Sequence, residues 1–308
     1  MTLPRAVSAC LGLLAMLSLC RCAPPAIDCT LRPVARLPLQ VQDHLLVVPV
    51  GLDGHWVSLV VDTGAERSTL SRAVVERLHL PPDTRFTTRS LGVGGATASN
   101  DVKIDRLVLG GVRFPVPRMV VGAFDLHTGR GLEADGLLGA DILLAFDLDI
   151  DVPGKTLTLY HSRLCPDARP PWSEPATEIP GVRAQKDRLL LPIDLDGTSG
   201  MGFLDTGAQR NVVGVDMAHR MGLTDAAMVD DPPVRQHGIG PNETIARMHQ
   251  FSLLRIGPIA EENPRITVMP TDAGFGDALI GEEFLHGRRV WISFRNRTVF
   301  VSAQPDGD

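Results

Sequence analysis

The sequence predicts an all-β protein built from two similar lobes, and three observations support this. Short apolar runs separated by glycine and proline recur along the chain, and few stretches have the spacing of a helix. The tetrapeptide Asp-Thr-Gly-Ala occurs twice, at residues 62–65 and 205–208, each time directly after an apolar run. Related motifs surround the two copies in the same order. A two-copy repeat of this length indicates a pair of domains, not a solenoid.

The repeat extends well beyond the tetrapeptides, which lie 143 residues apart. About 75 residues after each Asp comes a second pair, Asp-Gly-Leu-Leu-Gly at 135–139 and Asp-Ala-Leu-Ile-Gly at 277–281. Glycine-rich turns lie between them at 92–95 and 238–241. Each half also has a short predicted helix, 72–78 capped by Ser71 and 217–221 capped by Asp216.

The remaining runs predict strands. Proline inside the strands that open the halves, at Pro49 and Pro192, indicates edges or bulges because proline cannot donate to a β-ladder. Residues 146–150 alternate apolar and acidic side chains, which predicts a half-buried strand. The other predicted strands are 45–50, 102–104, 107–109, 156–160, 189–193, 251–256 and 299–301.

The domain organisation follows from the repeat and from a proline-rich segment between its halves. That segment predicts a stiff, extended linker. The N-terminal lead is expected to be mobile, either a spacer from a membrane anchor or an inhibitory pro-segment. The predicted divisions are a signal segment 1–22, the lead 23–43, a first lobe 44–162, the linker 163–182 and a second lobe 183–303.

Two Asp side chains at strand ends indicate acid–base chemistry. Two carboxyl groups about 3 Å apart cannot both ionise, so they share one proton. One can then activate a water molecule while the other protonates a scissile carbonyl, and the two titrate as a unit. We therefore predict Asp62 and Asp205 as catalytic. Gly64 and Gly207 would let the backbone approach the carboxylates closely.

These motifs resemble those of the retroviral-like (retropepsin-type) aspartic peptidases, specifically the bacterial periplasmic form with two half-sites in one chain. The resemblance spans residues 44–302 and implies a bilobal pepsin/retropepsin-like acid protease fold of two β-barrel-like lobes with a few short helices. It implies that Thr63 and Thr206 brace the two loops. It also implies hairpin flaps over the cleft, whose candidate tips and substrate-binding residues are Gly92, Val93, Gly94, Gly95, Gly238, Ile239 and Gly240.

Two departures from the pepsin-type branch bear on function. The only tyrosine, Tyr160, lies near the linker, so neither flap carries one. Ala65 and Ala208 occupy positions where pepsin-type enzymes tend to have Ser or Thr, whose hydroxyl favours the ionised carboxylate. We therefore expect a mildly acidic to neutral pH optimum.

Several features have a simpler structural interpretation. A single Asp-Thr-Gly is an ordinary turn sequence, and a glycine-rich turn can belong to any hairpin. Asp135 and Asp277 are expected to be structural, and His237 to be a surface residue. The nine histidines lack metal-site spacing, so neither a metal nor an organic cofactor is expected.

Targeting and charge suggest where the protein works. Arg5 and the apolar run 10–19 predict an export signal too short to span a bilayer, and hence a periplasmic location. Cys20 offers an imperfect lipidation signal for membrane anchoring. In an oxidising compartment Cys29 and Cys165 could form a disulfide, the alternative being two free thiols. The net charge of −6 disfavours nucleic acid as a partner.

The sequence thus predicts a secreted aspartic endopeptidase that cleaves extended polypeptides. Because both carboxylates come from one chain, a monomer containing an intramolecular pseudo-dimer suffices. The rival interpretation is a peptide-binding or assembly module that has lost catalysis, although two intact Asp-Thr-Gly copies argue against decay. Self-cleavage within the lead is a third possibility.

Overall fold

The structure, a computed structural model, describes residues 31–303 with several gaps. Every structural statement below concerns this part of the chain. Within residues 31–303, the structure does not describe Val93, Pro117, Ala123, Asp125, 127–132, 162–164, 166–167, 237–241 and 271–275.

Strands dominate both halves of the described chain. Those of the first half are β1 (Pro33–Pro38), β2 (Gln40–Gln42), β3 (Leu45–Leu52), β4 (His55–Val61), β5 (Thr69–Ser71), β6 (Pro82–Gly92), β7 (Gly95–Lys103), β8 (Leu107–Leu109), β9 (Val112–Phe114), β10 (Arg118–Gly122), β11 (Gly136–Leu138), β12 (Asp147–Asp151) and β13 (Thr156–Tyr160). Those that follow are β14 (Ala176–Pro180), β15 (Val182–Arg183), β16 (Leu189–Leu195), β17 (Thr198–Leu204), β18 (Val212–Gly214), β19 (Pro233–Gln236), β20 (Thr244–Gln250), β21 (Leu253–Ile256), β22 (Ile259–Glu262), β23 (Arg265–Met269), β24 (Ala278–Ile280), β25 (Arg289–Ser293) and β26 (Thr298–Ser302).

Helices are short. The α-helices are α1 (Arg72–Arg77), α2 (Ala140–Leu143), α3 (Val215–Arg220) and α4 (Glu282–Leu285), and a 3-10 helix spans Gln185–Asp187. Within the described ranges, no helix combines the length and apolar content needed to cross a bilayer.

Each half folds into a ten-stranded sheet, and the two sheets have the same strand order. The first runs β6-β7-β10-β5-β11-β4-β3-β8-β9, with β2 beside β3. The second runs β19-β20-β23-β18-β24-β17-β16-β21-β22, with β15 beside β16. In both, the strand that precedes Asp-Thr-Gly pairs in parallel with the strand of the downstream motif, β4 with β11 and β17 with β24. The all-β, two-lobed prediction is confirmed.

A third sheet of six strands joins the halves in the order β1-β13-β12-β25-β26-β14. Strands β12 and β25 pair antiparallel across five residue pairs, from Asp147↔Ser293 to Asp151↔Arg289. A large apolar core contains residues of both lobes, among them Leu59 and Ile280, each at most 1 % exposed. Burial of this core and the shared sheet fix the two Asp-Thr-Gly loops relative to each other.

The prolines of the opening strands lie where those strands change partner. One side of β3 pairs with β4 throughout, including Pro49 with Ser58. The other side pairs with β2 up to Val47 and with β8 only from Gly51. Pro49 therefore falls between the two ladders, where a missing N–H removes no bond. Pro192 lies in the same place in β16, between the ladders to β15 and β21.

The expected mobility of the lead is wrong, and the linker, extended as expected, is also paired. The lead was expected to be mobile up to residue 43, but residues 33–38 form β1 against β13 and residues 40–42 form β2. The expected linker also contains a strand, since β14 pairs with β26 from Ala176↔Ser302 to Pro180↔Thr298. The six-stranded sheet captures both segments at its edges.

Two local expectations also need correction. Helix α3 begins at Val215 with Gly214 as N-cap, so Asp216 lies in the first turn instead of capping it. Its carboxylate there still complements the helix dipole. Strand β12 is not half-buried: Asp147 and Asp149 are 1 % and 2 % exposed. Asp149 can be buried because Arg289 pairs with it through two hydrogen bonds of 2.9 and 2.7 Å. By contrast, Ser71 caps α1 as predicted, accepting from the Val74 N–H.

Candidate active site

The two Asp-Thr-Gly loops begin where β4 and β17 end, and the downstream motif holds each of them. The Asp62 N–H donates to the Leu138 carbonyl at 3.0 Å. The Asp205 N–H donates to the Ile280 carbonyl at 2.9 Å. The parallel pairing of β4 with β11 and of β17 with β24 produces both bonds, so the two halves of the repeat form one unit in each lobe.

The glycine that ends each downstream motif is fixed by a side chain six residues after the Asp. The Gly139 N–H donates to Ser68 Oγ and the Gly281 N–H to Asn211 Oδ1, both at 3.0 Å. A Cβ on Gly139 would lie 2.6 Å from the Arg67 carbonyl carbon. Only glycine therefore fits beneath these loops.

Four hydrogen bonds made by Thr63 and Thr206 join the two lobes beside Asp62 and Asp205. The Thr63 N–H donates to Thr206 Oγ1 at 3.1 Å, and Thr63 Oγ1 donates to the Leu204 carbonyl at 2.8 Å. Thr206 makes the equivalent pair, to Thr63 Oγ1 at 3.1 Å and to the Val61 carbonyl at 2.6 Å. Both threonines are buried. Each bond contributes about 1 kcal/mol net, and together they fix the spacing of the loops.

The Asp62 and Asp205 carboxyl groups meet across this interface, each lying against the glycine of the opposite loop, and each affects the pKa of the other. Gly64 and Gly207 flank them so closely that a side chain would collide with the opposite Asp. A Cβ on Gly64 would lie 2.5 Å from both Asp205 oxygens, and one on Gly207 would lie 2.3 Å from Asp62 Cγ. The glycines predicted to support the dyad are thus required by the proximity of the opposite loop.

Burial sets the protonation of the pair. Desolvation is the largest effect on both groups and raises the pKa of Asp62 above 3.8. Desolvation and the nearby Asp62 charge raise the pKa of Asp205 to about 8. Asp62 Oδ1 accepts two backbone N–H groups, from Gly64 and Ala65, both at 2.8 Å. Asp205 accepts one, from Gly207 at 3.0 Å, so the shared proton resides mainly on Asp205.

Two hairpins reach toward each other from the two lobes. Strands β6 and β7 form the first, paired up to Gly92↔Gly95, and β19 and β20 form the second. Their ends meet: both the N–H and the side-chain amide of Asn242 donate to the Gly94 carbonyl, at 3.0 and 3.1 Å. Among the predicted flap residues, Gly92, Gly94 and Gly95 therefore lie at a tip that contacts the second lobe. Val93, Gly238, Ile239 and Gly240 lie outside the described residues, as does His237.

Asp135 and Asp277, expected to be structural, brace their lobes away from the dyad. Each accepts a backbone N–H from β4 or β17 at 2.9 Å. Asp135 also pairs with Arg77 at the end of α1, and Asp277 pairs with Arg220 at the end of α3. These contacts anchor each helix to the sheet.

Cys165 is disulfide-bonded. Cys29 lies outside the described residues, so the Cys29–Cys165 pairing stays a prediction. A cavity of about 320 Å³ lies between α1 and the first hairpin and is lined by residues including Val75, Leu80 and Ala98. None of its lining residues belongs to the Asp-Thr-Gly loops, so we place the chemistry at the dyad.

The sequence did not identify several residues around the dyad. Arg188 was missed because its contacts are formed only by tertiary structure, whereas Asn242 belongs to the predicted flap tip 238–242. Glu66 and Gln209 carried a usable signal, since both are polar and both lie four residues after a predicted catalytic Asp. Each reaches the opposite lobe: Glu66 pairs with Lys186, and Gln209 donates to the Asp43 carbonyl at 2.7 Å.

Chemically, the site presents one proton shared by the buried Asp62 and the partly exposed Asp205. A carboxylate in this setting can take a proton from water while the neighbouring carboxylic acid donates one to a carbonyl oxygen. This is the chemistry that hydrolyses an amide without a covalent intermediate.

Comparisons with known proteins agree with this geometry. The fold is similar to that of the aspartic proteinase from Irpex lacteus, with a TM-score of 0.53 and 12 % sequence identity. The match covers 89 % of this chain and 98 % of that one. The UBA domain-containing protein Mud1 of Schizosaccharomyces pombe is 31 % identical over 125 residues, 40 % of this chain and 35 % of that protein. The DNA damage-inducible protein 1 of Cryptococcus neoformans is 29 % identical over 122 residues, 39 % of this chain and 26 % of that protein.

The matched part is about a third or less of the length of these two relatives. The aspartyl protease family model matches twice, over residues 48–142 and 191–284, with one Asp-Thr-Gly copy in each match. These matches cover more than half of the sequence, and the chain therefore belongs to the aspartyl protease family.

Proposed function

We propose that the chain is an aspartic endopeptidase that hydrolyses extended polypeptides with a water molecule activated between Asp62 and Asp205. The observation that carries the proposal is the close approach of the two loops at the lobe interface, where Gly64 lies against the Asp205 carboxyl group and Gly207 against that of Asp62. Family membership supports a peptidase function. The reciprocal hydrogen bonds between Thr63 and Thr206 are intact. They argue against the rival interpretation, in which the protein has kept the fold but lost the geometry of the dyad.

The unequal hydrogen bonding assigns the starting roles. Asp62, with two backbone donors, is the carboxylate that takes a proton from the attacking water. Asp205 starts protonated and donates its proton to the carbonyl oxygen of the scissile bond. The water oxygen bonds to the carbonyl carbon and forms a neutral tetrahedral diol. Asp62 then returns its proton to the leaving nitrogen while a diol hydroxyl gives its proton to Asp205, which restores the dyad as the C–N bond breaks.

The substrate would lie extended beneath the two hairpins. Extended peptides bind by backbone hydrogen bonds, with alternate side chains in pockets. The Asn242–Gly94 contact supports this, because it joins the ends of the hairpins that the two lobes contribute. No second chain is needed, since one chain supplies both carboxyl groups.

We also propose export to the periplasm, supported by Arg5 and the apolar run 10–19, with Cys20 as a candidate lipid anchor. The disulfide at Cys165 is compatible with an oxidising compartment. The net charge of −6 makes polypeptide, not nucleic acid, the expected partner.

The test is cleavage of denatured casein from about pH 3 to about pH 8, a range that spans the dyad's ionisations. We expect wild type to cut and pepstatin to block cutting. Asp62→Asn and Asp205→Asn should each lower the rate by at least about 10³-fold, because neither half of the dyad works alone. Asp135→Asn, which alters a carboxylate outside the dyad, is the matched control and should keep its activity in the folded fraction. Binding without cleavage by the wild type would support the rival peptide-binding module.

A further inference from the structure

The cleft is built by a repeat, yet the residues on the two sides of the dyad differ in charge. Val47 pairs with Val60 on β3 and β4, and Leu190 pairs with Phe203 on β16 and β17. Each of these second-lobe residues lies 143 positions after its counterpart in the first lobe, as Asp205 does after Asp62. Leu45 and Arg188 are then equivalent positions.

The side next to Asp62 is apolar. Leu45 and Val60 belong to a small buried cluster that is separate from the main core and also contains Ala65 and Leu137. Ala65 is part of the Asp62 loop itself. This cluster therefore forms a hydrophobic wall beside one carboxyl group of the dyad.

The side next to Asp205 is cationic. The Arg188 guanidinium stacks over the Phe203 ring at 5.2 Å, and Phe203 lies two residues before Asp205. The Arg188 side chain is only 10 % exposed. Its charge offsets part of the rise in the pKa of Asp205 that desolvation and the Asp62 charge cause.

The loops that bridge the lobes extend this difference. Beside Arg188, Glu66 pairs closely with Lys186 and lies 3.9 Å from Arg188, so two cations face one carboxylate. At the equivalent contact of the other lobe, Gln209 replaces Glu66 and Asp43 replaces Lys186. The buried Glu282 carboxylate lies there as well, 3.4 Å from His44.

We propose that Arg188 determines substrate specificity: the part of the cleft beside it accepts an acidic side chain, and the part beside Leu45 accepts an apolar one. The inference rests on the proposed peptidase function. A guanidinium screened from water forms strong, charge-assisted hydrogen bonds to a carboxylate. A cleft with one cationic and one apolar side also binds a polypeptide in one direction, because the reversed chain would place the wrong side chain at each wall.

The experiment uses fluorogenic peptides of one apolar sequence carrying Glu, Gln or Lys at each position within about three residues of the scissile bond. The measured quantity is the ratio of kcat/KM for the Glu and Gln peptides. This ratio does not depend on how much of a variant is active. We expect wild type to favour Glu at one position by about tenfold, a typical value for a hydrogen bond to a charged group.

Four variants test whether Arg188 selects the substrate or only links the two lobes through Glu66. Arg188→Leu, which installs the residue of the other lobe, should abolish the preference, whereas Arg188→Lys should keep its direction. Glu66→Gln should enlarge the preference because it removes a competing carboxylate. Arg255→Leu, on the exposed face of β21, should leave the ratio unchanged.

The outcomes are distinguishable. Equal cleavage of the Glu and Gln peptides by wild type at every position overturns the inference and leaves the proposed function intact. An undiminished preference in Arg188→Leu overturns it as well. If no peptide of any charge is cut, the proposed function fails, and this inference fails with it.

Discussion

Asp62 and Asp205 stand in identical tetrapeptides, yet their surroundings differ at the level of single hydrogen bonds. Asp62 accepts from two backbone N–H groups and Asp205 from one. In the second loop the Ala208 N–H donates instead to the Asp205 carbonyl at 3.2 Å. A duplicated sequence therefore yields a site in which one carboxyl group is the better base and the other the better acid.

The pH dependence of activity should report this difference. The active form carries one proton, so kcat/KM should fall at low pH, where Asp62 becomes protonated, and at high pH, where the pair loses its proton. Because both pKa values are raised, the acidic limb should lie above pH 3.8 and the alkaline limb near pH 8. Steady-state kinetics across this range would check it, and maximal activity below about pH 3 would contradict it.

Ala208→Ser tests the physical cause. If the added hydroxyl donates to the Asp205 carboxylate, it should lower the pKa of that group and move the alkaline limb down by about one pH unit. An unchanged alkaline limb would show that the hydroxyl does not reach the carboxylate.

Among the structural elements, the first hairpin is tied to the catalytic loop through one buried carboxylate. Asp101 on β7 is fully buried and accepts from Arg67, five residues after Asp62, at 3.0 Å. It also faces Arg118 of β10 at 3.1 Å and accepts from Thr88 of β6 at 2.6 Å. This network sets the angle between the hairpin and the dyad.

Asp101→Asn should disturb both stability and substrate binding. Removing the charge leaves two guanidinium groups without their shared carboxylate, which should cost about 3 kcal/mol of unfolding free energy. At a temperature where the variant is still folded, KM should rise more than kcat falls, because the hairpin no longer closes at the right angle. Urea denaturation and steady-state kinetics measure the two effects.

The matched control for this variant lies on the same hairpin. The Asp83 side chain is 5 % exposed and pairs with Arg85 at 2.8 Å, without contacting the catalytic loop. Arg85 lowers the pKa of Asp83 to about 2. Asp83→Asn should therefore leave KM unchanged. Equal KM values in all three proteins would refute the role given to Asp101.

Elements with strong local patterns were predictable, and elements defined by distant partners were not. Strands β8 and β13 agree with their apolar runs, and Ser71 marks the start of α1. Strand β14 lies in a proline-rich segment and owes its conformation to β26, more than a hundred residues away. The alternation of apolar and acidic residues around Asp149 predicted a half-buried strand, because the sequence does not show that Arg289 covers this carboxylate.

At the scale of the whole molecule, the two halves form sheets of the same strand order, and the internal repeat predicted that Asp62 and Asp205 would hold equivalent positions in them. The same repeat could not predict where the halves differ, because equivalent positions diverge through contacts between lobes. Arg188 stands where the first lobe has Leu45, and Glu66 where the second has Gln209. These differences add to the unequal hydrogen bonding of Asp62 and Asp205, so the duplicated scaffold holds two identical tetrapeptides in unlike surroundings.

The six-stranded sheet should make the two lobes unfold together. Its central pair, β12 and β25, comes from different halves, and the Asp149–Arg289 contact lies at this junction, with Arg289 stacked on Trp172 at 5.0 Å. Asp149→Ala should lower the unfolding free energy by about 3 kcal/mol, since it removes a buried carboxylate and leaves a partly buried guanidinium without its main partner.

Hydrogen exchange read at β4 and at β17 checks this coupling. Because both lobes share the sheet, protection should fall by the same amount at the two strands, and urea denaturation should show a single transition. Asp53→Ala is a control confined to a turn of the first lobe, where Asp53 accepts from the N–H groups of Asp105 and Arg106. It should loosen that turn, and any loss of hydrogen-exchange protection should be larger at β4 than at β17. Two separate transitions in Asp149→Ala, or protection lost in one lobe alone, would show that the lobes are independent folding units joined only at the dyad.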